Sequence, residues 1–241
     1  DLYVTIDIEI QKSIEDAFSG RKGAAVVMDV ATGEVIALVS SPGFFPGAFL
    51  DTDDAAYVKN LLTNPDTPLI NRAISGHYPL GSVFKVILSI AALEKRMITP
   101  DKRYFCPGEM LVGAKEFKCW STHDSQDLIE AITHSCNVYF YHLALLLGPD
   151  ALTEYALKFG FGRPTGIDLS QEVSGYVPSV LSRRMKLRNW YEGDTANFGI
   201  GQGDLLVSPV QAARLMAAIA NGGKLLRPYL VRKLSGQEVN P

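Results

Sequence analysis

Residues Ser82–Leu93 read SVFKVILSIAAL, an almost unbroken apolar stretch in which Lys85 is the single charged side chain. A helix that is apolar on nearly every side has to be buried inside a large domain. Three charged residues, 94–96, follow the stretch, and Thr99-Pro100 is typical of the end of a helix. We therefore predict a buried helix over residues 82–93.

The segments on either side predict a mixed domain of strands and helices. Two apolar runs, Ala24–Val30 and Val35–Ser40, are separated by ATGE and predict a β-hairpin that is covered on both faces. Hydrophobic periodicity predicts further helices: Ile8–Phe18, Leu128–Leu147, Ala151–Phe159 and Pro209–Asn221. Residues 161–203 are rich in glycine, so we expect mainly loops there. Together the segments favour a sheet with helices on both sides that is at least partly antiparallel.

The composition excludes some classes of function. The 241 residues, 47% of them hydrophobic, are enough for one substantial core. A net charge of −3 without a basic excess gives no electrostatic footprint for nucleic acid. The apolar stretches are too short for a membrane-spanning helix, and no secretory signal opens the sequence. We expect any export signal to lie outside these residues.

Ser82 and Lys85 form an S-x-x-K motif in the predicted helix. Side chains three residues apart share a helix face, so the amine can reach the hydroxyl. Burying a lysine is costly unless it is paired or loses its proton, and a desolvated amine is a candidate general base for a serine. Ser82 would also begin the helix, where free N–H groups favour developing negative charge. A second S-x-x-K, Ser19–Lys22, lacks this context and receives no weight.

A structural role is the alternative for each motif taken alone. Ser82 can be a helix cap, and Lys85 can extend its amine to water. Ser135-Cys136-Asn137 is an S-x-N motif, which by itself can be a helix cap or an Asx-turn. The two motifs in this order, about fifty residues apart, favour catalysis, because the combination is typical of β-lactamases and penicillin-binding proteins.

Nearly the whole chain resembles the class B, elongation-type penicillin-binding proteins. The resemblance rests on these segments: Thr5–Asp7 with Gln11, Gly23–Asp29, Thr32–Ala37, Asn71–Ile74 leading to Tyr78–Ser82, Phe159–Gly162 with Thr165–Asp168, and Gly199–Gly203. It implies an α/β (α+β) fold of the penicillin-binding/β-lactamase-like transpeptidase type, with a largely antiparallel sheet flanked by helices. Residues 1–241 would be a partial transpeptidase domain, with residues 79–150 as a helical subregion that carries both motifs.

The resemblance also implies a reaction. Ser82 would attack the penultimate D-Ala carbonyl of a peptidoglycan stem peptide, and Lys85 would take the serine proton. Ser135 and Asn137 would relay protons and hold the substrate amide. An amine of a neighbouring stem would then resolve the acyl-enzyme and cross-link the wall, whereas β-lactams would leave Ser82 acylated. No cofactor is implied for this catalysis.

Partners and location follow from the same resemblance. Expected partners are peptidoglycan stem peptides, β-lactam antibiotics, a SEDS-family glycosyltransferase and other elongation-complex proteins, with no nucleic acid. The expected location is the cell envelope, as the periplasmic domain of an inner-membrane-anchored protein that serves cell shape. The membrane anchor is expected outside these residues.

The sequence departs from the family pattern at the third motif. The family has a Lys-Thr-Gly or close variant on a strand after the S-x-N motif, and no such triplet is present; Pro164-Thr165-Gly166 lacks the basic residue. The chain is therefore expected to stop before the third-motif strand, which supplies one oxyanion-hole N–H. This absence supports an alternative function, a truncated and catalytically impaired penicillin-binding module. A β-lactamase or β-lactam sensor is a further alternative, disfavoured by the strand and glycine-rich segments.

All three cysteines lie in one short stretch together with a histidine. Cys106, Cys119, His123 and Cys136 have the spacing C-x12-C-x3-H-x12-C, which suits a closed tetrahedral zinc site of structural type. His134 could replace His123 in this set. A Cys106–Cys119 disulfide with Cys136 buried, or three inert core thiols, are the alternatives.

Overall fold

The computed structural model describes residues 1–50, 54–234 and 237–238. The helices are α1 (Ile8–Phe18), α2 (Ala55–Thr63), α3 (Arg72–Ser75), α4 (Phe84–Glu94), α5 (Leu128–Thr133), α6 (Asn137–Lys158), α7 (Val180–Met185), α8 (Glu192–Gly199) and α9 (Pro209–Ala220). The strands are β1 (Leu2–Val4), β2 (Gly23–Met28), β3 (Val35–Ser41), β4 (Tyr104–Cys106), β5 (Glu109–Val112), β6 (Lys115–Lys118), β7 (Asp124–Gln126), β8 (Val231–Leu234) and β9 (Gln237–Glu238).

These elements form two compact units. The sheet unit comprises residues 1–77, 163–174 and 207 onward, and the helical unit comprises residues 78–162 and 175–206. The predicted subregion 79–150 lies within the helical unit, whose second segment the sequence did not group with it. Among the described residues, no helix has both the length and the apolar character needed to cross a membrane.

The sheet unit is built on the predicted hairpin. Strands β2 and β3 pair antiparallel, with Val26 opposite Leu38. Helices α1, α3 and α9 pack against the hairpin, and Gln11 of α1 hydrogen-bonds both the N–H and the carbonyl of Leu38. The core of the unit combines residues from all three of its chain segments: Val35, Ala73, Ile74, Ile167, Val210 and Leu230. The predicted antiparallel hairpin and its helical cover are therefore confirmed.

The helical unit is built on α4, which packs against α6 and α8. Phe84 of α4 is fully buried and stacks on Phe198 of α8, with ring centroids 5.1 Å apart. Two short antiparallel ladders, β4–β7 and β5–β6, precede α5. The predicted helix over residues 82–93 is confirmed except at its start, because residues 81–83 form a 3-10 turn and α4 begins at Phe84.

The prediction of one helix over Leu128–Leu147 is wrong. Helix α5 ends at Thr133 and α6 begins at Asn137. The chain turns between them because Ser135 has a left-handed backbone, with φ of 51°, and the Sγ of Cys136 caps α6 by accepting from the Tyr139 N–H at 3.5 Å. Helix α6 is itself broken at Gly148, where the sequence predicted a boundary.

The prediction that residues 161–203 are mainly loop is wrong at two places, α7 and α8. Helix α7 begins with a capping box in which Ser179 and Ser182 exchange hydrogen bonds. Helix α8 (EGDTANFG) lacks the apolar periodicity that identifies a helix, and its packing against α4 and α6 stabilises it instead.

Candidate active site

Ser82 lies at the surface of the helical unit, on the 3-10 turn that leads into α4. The next turn of chain is buried, so the hydroxyl is accessible while its backbone is held by a packed helix. Lys85, one helical turn later, is only 2% exposed. The two residues thus have opposite environments, as an accessible nucleophile and a desolvated base require.

The amine of Lys85 is surrounded by oxygen atoms of the S-x-N segment. Its Nζ donates to the carbonyl oxygen of Ser135 at 2.8 Å, to the Ser135 hydroxyl at 3.0 Å and to the Oδ1 of Asn137 at 2.7 Å. Burial lowers the pKa of Lys85 to about 8, although the nearby thiols of Cys119 and Cys136 act in the opposite direction. A lysine with this pKa can exchange a proton near neutral pH.

Ser135 connects the two members of the S-x-x-K motif. Its hydroxyl donates to the Ser82 Oγ at 2.8 Å and accepts from the Lys85 Nζ. Among the described residues, no hydrogen bond joins Lys85 directly to Ser82. The hydrogen-bonded path from the Ser82 hydroxyl to the Lys85 amine therefore passes through Ser135. The i, i+3 spacing predicted that the amine reaches the hydroxyl, and in the structure the Ser135 hydroxyl bridges the two groups.

Hydrogen bonds to residues 118 and 119 hold Asn137 at the first turn of α6. Its backbone N–H donates to the Sγ of Cys119 at 3.1 Å, and its Nδ2 donates to the carbonyl of Lys118 at 3.4 Å. These contacts direct Oδ1 toward Lys85. All four residues that the sequence singled out for catalysis are thus brought together in the helical unit.

The three cysteines and His123 also form one cluster. Their ligand atoms, one from each of Cys106, Cys119, His123 and Cys136, all lie within 4.8 Å of one another. The Nδ1 of His123 lies 3.6 Å from the Sγ of Cys106 and 3.5 Å from that of Cys119. The three cysteines are free thiols, so the structure does not contain the Cys106–Cys119 disulfide.

His134, the alternative ligand, has a different partner. Its Nδ1 lies 2.6 Å from the Oε1 of Gln126, and it stacks beside His123 without joining the cluster.

The cysteines of the cluster differ in how easily they ionise. Burial opposes ionisation of Cys119, but backbone N–H groups of residues 121, 138 and 137 outweigh it and lower the pKa of that thiol. Burial raises the pKa of the Cys136 thiol to about 12. A donor set of three sulfurs and one imidazole fits zinc.

The sequence did not identify Gly201 as a residue in contact with the turn that carries Ser82. The structure places Gly201 against Gly81, the residue before Ser82, whose N–H donates to the Gly201 carbonyl at 2.9 Å. Closely spaced glycines (GIGQG) are the one signal in the sequence for such a close approach of two backbones.

A serine on a turn before a buried S-x-x-K helix, bridged to its lysine by an S-x-N serine, is an arrangement suited to serine acyl transfer. The family described as "Penicillin binding protein transpeptidase domain" matches residues 23–241. The chain therefore belongs to the penicillin-binding protein transpeptidase domain family, and the fold predicted from the resemblance is confirmed.

Individual relatives agree with this assignment. The chain is 36% identical over 245 residues to the peptidoglycan D,D-transpeptidase MrdA of Haemophilus influenzae, covering 100% of this chain and 38% of that protein. It thus spans well under half the length of that relative. The structure of Pseudomonas aeruginosa PBP2 in complex with WCK 5153 matches with a TM-score of 0.92 and 35% identity, over 99% of this chain and 56% of that one.

Two further solved structures show related proteins in complexes. PBP2 of Helicobacter pylori, in a complex with MreC, matches with a TM-score of 0.90 and 32% identity, over 95% of this chain and 44% of that one. Penicillin-binding protein A of Mycobacterium tuberculosis, as a penicillin G acyl-enzyme, matches with a TM-score of 0.85 and 32% identity, over 98% of this chain and 55% of that one.

Proposed function

We propose that this chain carries the acyl-transfer machinery of a peptidoglycan D,D-transpeptidase, with Ser82 as nucleophile. The observation that supports the proposal best is the hydrogen-bonded path from Ser82 through Ser135 to Lys85. It joins an exposed hydroxyl to a buried amine whose pKa is about 8. The name of the MrdA relative and the penicillin G acyl-enzyme of a second relative support the substrate class and the β-lactam reaction.

Acylation follows from this path. When Lys85 is neutral, the hydroxyls turn and reverse the direction of the two hydrogen bonds in the structure, so that Ser82 donates to Ser135 and Ser135 donates to the Lys85 Nζ. Lys85 then takes the Ser135 proton while Ser135 takes the proton of Ser82, and the Ser82 Oγ attacks the carbonyl carbon of the penultimate D-Ala. The peptide C–N bond then breaks, and the leaving D-Ala amine receives a proton back along the same path. An acyl ester on Ser82 and free D-Ala are the products.

Deacylation transfers the peptide to a second stem. An amine of the acceptor attacks the ester carbonyl, and the path through Ser135 removes its proton and returns one to the Ser82 Oγ. Each time Lys85 has taken up a proton, the Oδ1 of Asn137 accepts from its ammonium, and we expect the Asn137 amide also to hold the substrate amide. The same serine reacts with a β-lactam, whose ring opens to leave a stable ester.

A second candidate function is a binding module that acylates poorly. These 241 residues, tested by themselves, contain no Lys-Thr-Gly triplet, and a site without one oxyanion donor typically reacts about a hundred- to a thousand-fold more slowly. Such a module would bind substrate or β-lactam in the same site but would turn over slowly.

We also propose that Cys106, Cys119, His123 and Cys136 would hold a structural zinc ion. Backbone N–H groups donate to two of the sulfurs, Asn137 to Cys119 and Tyr139 to Cys136. Such donors lower the pKa of Cys119, whereas burial raises the pKa of Cys136, so a bound cation would supply the charge that stabilises the Cys136 thiolate. Zinc in a four-ligand site of this type supplies cross-linking of the chain rather than catalysis. Because Cys136 lies between Ser135 and Asn137, these ligands would fix the S-x-N segment.

We further propose a setting in the cell envelope, on the periplasmic side of the inner membrane, with a role in cell shape. The family and the complex of H. pylori PBP2 with MreC support partners from an elongation complex. A SEDS-family glycosyltransferase is the second expected partner. Co-purification from envelope extracts, with a protein carrying this domain as bait, tests both partners.

Reaction with a fluorescent penicillin tests the proposed chemistry. Intact and peptide mass spectrometry locate the adduct, with Ser82→Ala as the control and a protein extended through a Lys-Thr-Gly strand as a second arm. We expect an adduct on Ser82 that the control lacks. An adduct in the extended protein alone would favour the impaired-module function for this chain, and no adduct in either would rule out the acyl-transfer function.

A further inference from the structure

We propose that the backbone of Gly201 is a positioning element for the nucleophile, which sets the location of Ser82 through Gly81. The inference rests on the proposed function, and it adds a residue outside the S-x-x-K and S-x-N motifs. Gly201 does not touch the reacting atoms. It acts through the turn, residues 81–83, that carries the Ser82 hydroxyl.

Gly81 and Gly201 both have left-handed backbones, and their backbones are in direct contact. Gly81 has φ of 61° and Gly201 has φ of 70°, and the Gly81 N–H donates to the Gly201 carbonyl at 2.9 Å. A Cβ on Gly201 would lie 2.2 Å from the Gly81 oxygen, 2.7 Å from its nitrogen and 2.8 Å from the Cβ of Phe84. Backbone atoms cannot rotate away as a side chain can, so any side chain at position 201 has to displace the turn.

The Gly201 backbone is itself firmly held. A Cβ on Gly199 would lie 2.3 Å from the Cβ of Ala144, so the end of α8 lies directly against α6. The buried guanidinium of Arg183 pairs with Asp194 near the start of α8 at 2.6 Å and with Asp204, beyond the glycines, at 2.9 Å. Contacts on both sides of Gly201 therefore fix its position relative to α4 and α6, which carry Lys85 and Asn137.

The chemistry is sensitive to this position. The Ser135 hydroxyl lies 2.8 Å from the Ser82 Oγ, and a hydrogen bond of this kind is lost when the oxygens move apart by about 1 Å. Relieving a 2.2 Å contact requires a displacement of that size. A misplacement of about 1 Å can cost roughly a hundred-fold in rate.

Gly203 provides a matched control. It has φ of 73° in the same segment, so alanine introduces the same kind of backbone strain there, but its Cβ would meet only the Cβ of Asn197 at an ordinary 3.5 Å. The experiment compares Gly201→Ala with Gly203→Ala in the penicillin reaction, separating the pre-acylation dissociation constant from the acylation rate constant. Amide hydrogen exchange of the peptide that contains Gly81 and Ser82 is measured on both variants.

We expect Gly201→Ala to lower the acylation rate constant by about a hundred-fold, with little change in the dissociation constant and with faster exchange at residues 81–82. Gly203→Ala is expected to keep the wild-type acylation rate constant and the wild-type hydrogen exchange at residues 81–82, even if its melting temperature falls. If each variant loses acylation rate in proportion to the stability that it loses, the proposal is overturned.

A backbone ester at position 81 removes the N–H that donates to Gly201 without adding any atom in the contact. This ester variant replaces Gly201→Ala in the experiment if Gly201→Ala does not fold. We expect it to lower the acylation rate constant roughly ten-fold because the hydrogen bond is lost. An unchanged rate would count against the proposal. If neither this chain nor the extended protein is acylated, the proposed function fails, and exchange at residues 81–82 still decides whether Gly201 holds the turn.

Discussion

The Ser135 hydroxyl donates to the Ser82 Oγ at 2.8 Å, although the two residues are 53 positions apart. Ser135 reaches this position because its backbone is left-handed and because α6 begins only at Asn137. A continuous helix through this segment would direct the side chain elsewhere. The break between α5 and α6 is therefore the feature that brings the S-x-N serine to Ser82.

Replacement of Ser135 by alanine is expected to slow acylation by about a hundred- to a thousand-fold, because the proton path from Ser82 to Lys85 loses its bridge. The dissociation constant for the β-lactam before acylation is expected to change little. Stopped-flow kinetics with a fluorescent penicillin measure both constants. An unchanged rate constant would show that the proton of Ser82 travels by another route.

Acylation is expected to rise with pH up to about 8 and then to level off. Burial lowers the pKa of Lys85 to about 8, and only the neutral amine can accept a proton. Below that pH the active fraction therefore falls about ten-fold per unit. The measurement is the acylation rate constant against pH. Lys85→Arg keeps the charge but cannot become neutral near this pH, so we expect it to be inactive throughout; a wild-type rate that is flat from pH 6 to 9 would contradict the assignment of Lys85 as base.

Zinc is expected to bind with a stoichiometry of one per chain and to raise the melting temperature. Free zinc at a thousand times its dissociation constant stabilises a folded chain by about 4 kcal/mol. His123→Ala is expected to lose the metal, whereas the matched variant His134→Ala is expected to keep it because His134 pairs with Gln126 instead. Native mass spectrometry counts the metal, and the reverse result for the two histidines would exclude the proposed ligand set.

Replacement of Arg183 by methionine is expected to lower the free energy of unfolding by about 2–4 kcal/mol, because two carboxylates lose a buried partner. Asp194 and Asp204 are partly exposed, which keeps the loss below that of a fully buried pair. Arg184→Met is the control: this neighbour is exposed, so its change is expected to stay within about 0.5 kcal/mol. Urea unfolding measures both variants, and equal losses would mean that the ion pairs contribute nothing.

The sequence predicted the parts of the fold that depend on local pattern. The hairpin of β2 and β3 follows from two β-branched runs around a turn, and α4 follows from a run of apolar residues. The S-x-x-K motif was recognisable because Lys85 is isolated in that run. Each of these features can be recognised from a short stretch of sequence, because it does not depend on contacts between residues that are far apart in the chain.

The rest of the site depends on tertiary contacts, which cannot be recognised from a short stretch of sequence. The break before α6 was missed because apolar residues recur at helical spacing across Ser135. Helix α8 was missed because its sequence is polar, and burial of Phe198 against Phe84 stabilises it. The role of Ser135 as a bridge, rather than a direct contact of Lys85 with Ser82, required the geometry of both segments.

The core of the sheet unit has a consequence for how the chain folds as it is made. Val35 on the early hairpin is covered in part by Val210 and Leu230, which are synthesised about 175 and 195 residues later. At about 5–20 residues per second, the apolar hairpin waits roughly 10–40 s for these partners. During this interval its strand edges and apolar side chains are open to other chains, so a holding chaperone should raise the yield of native protein more than it raises the yield of a chain that folds segment by segment.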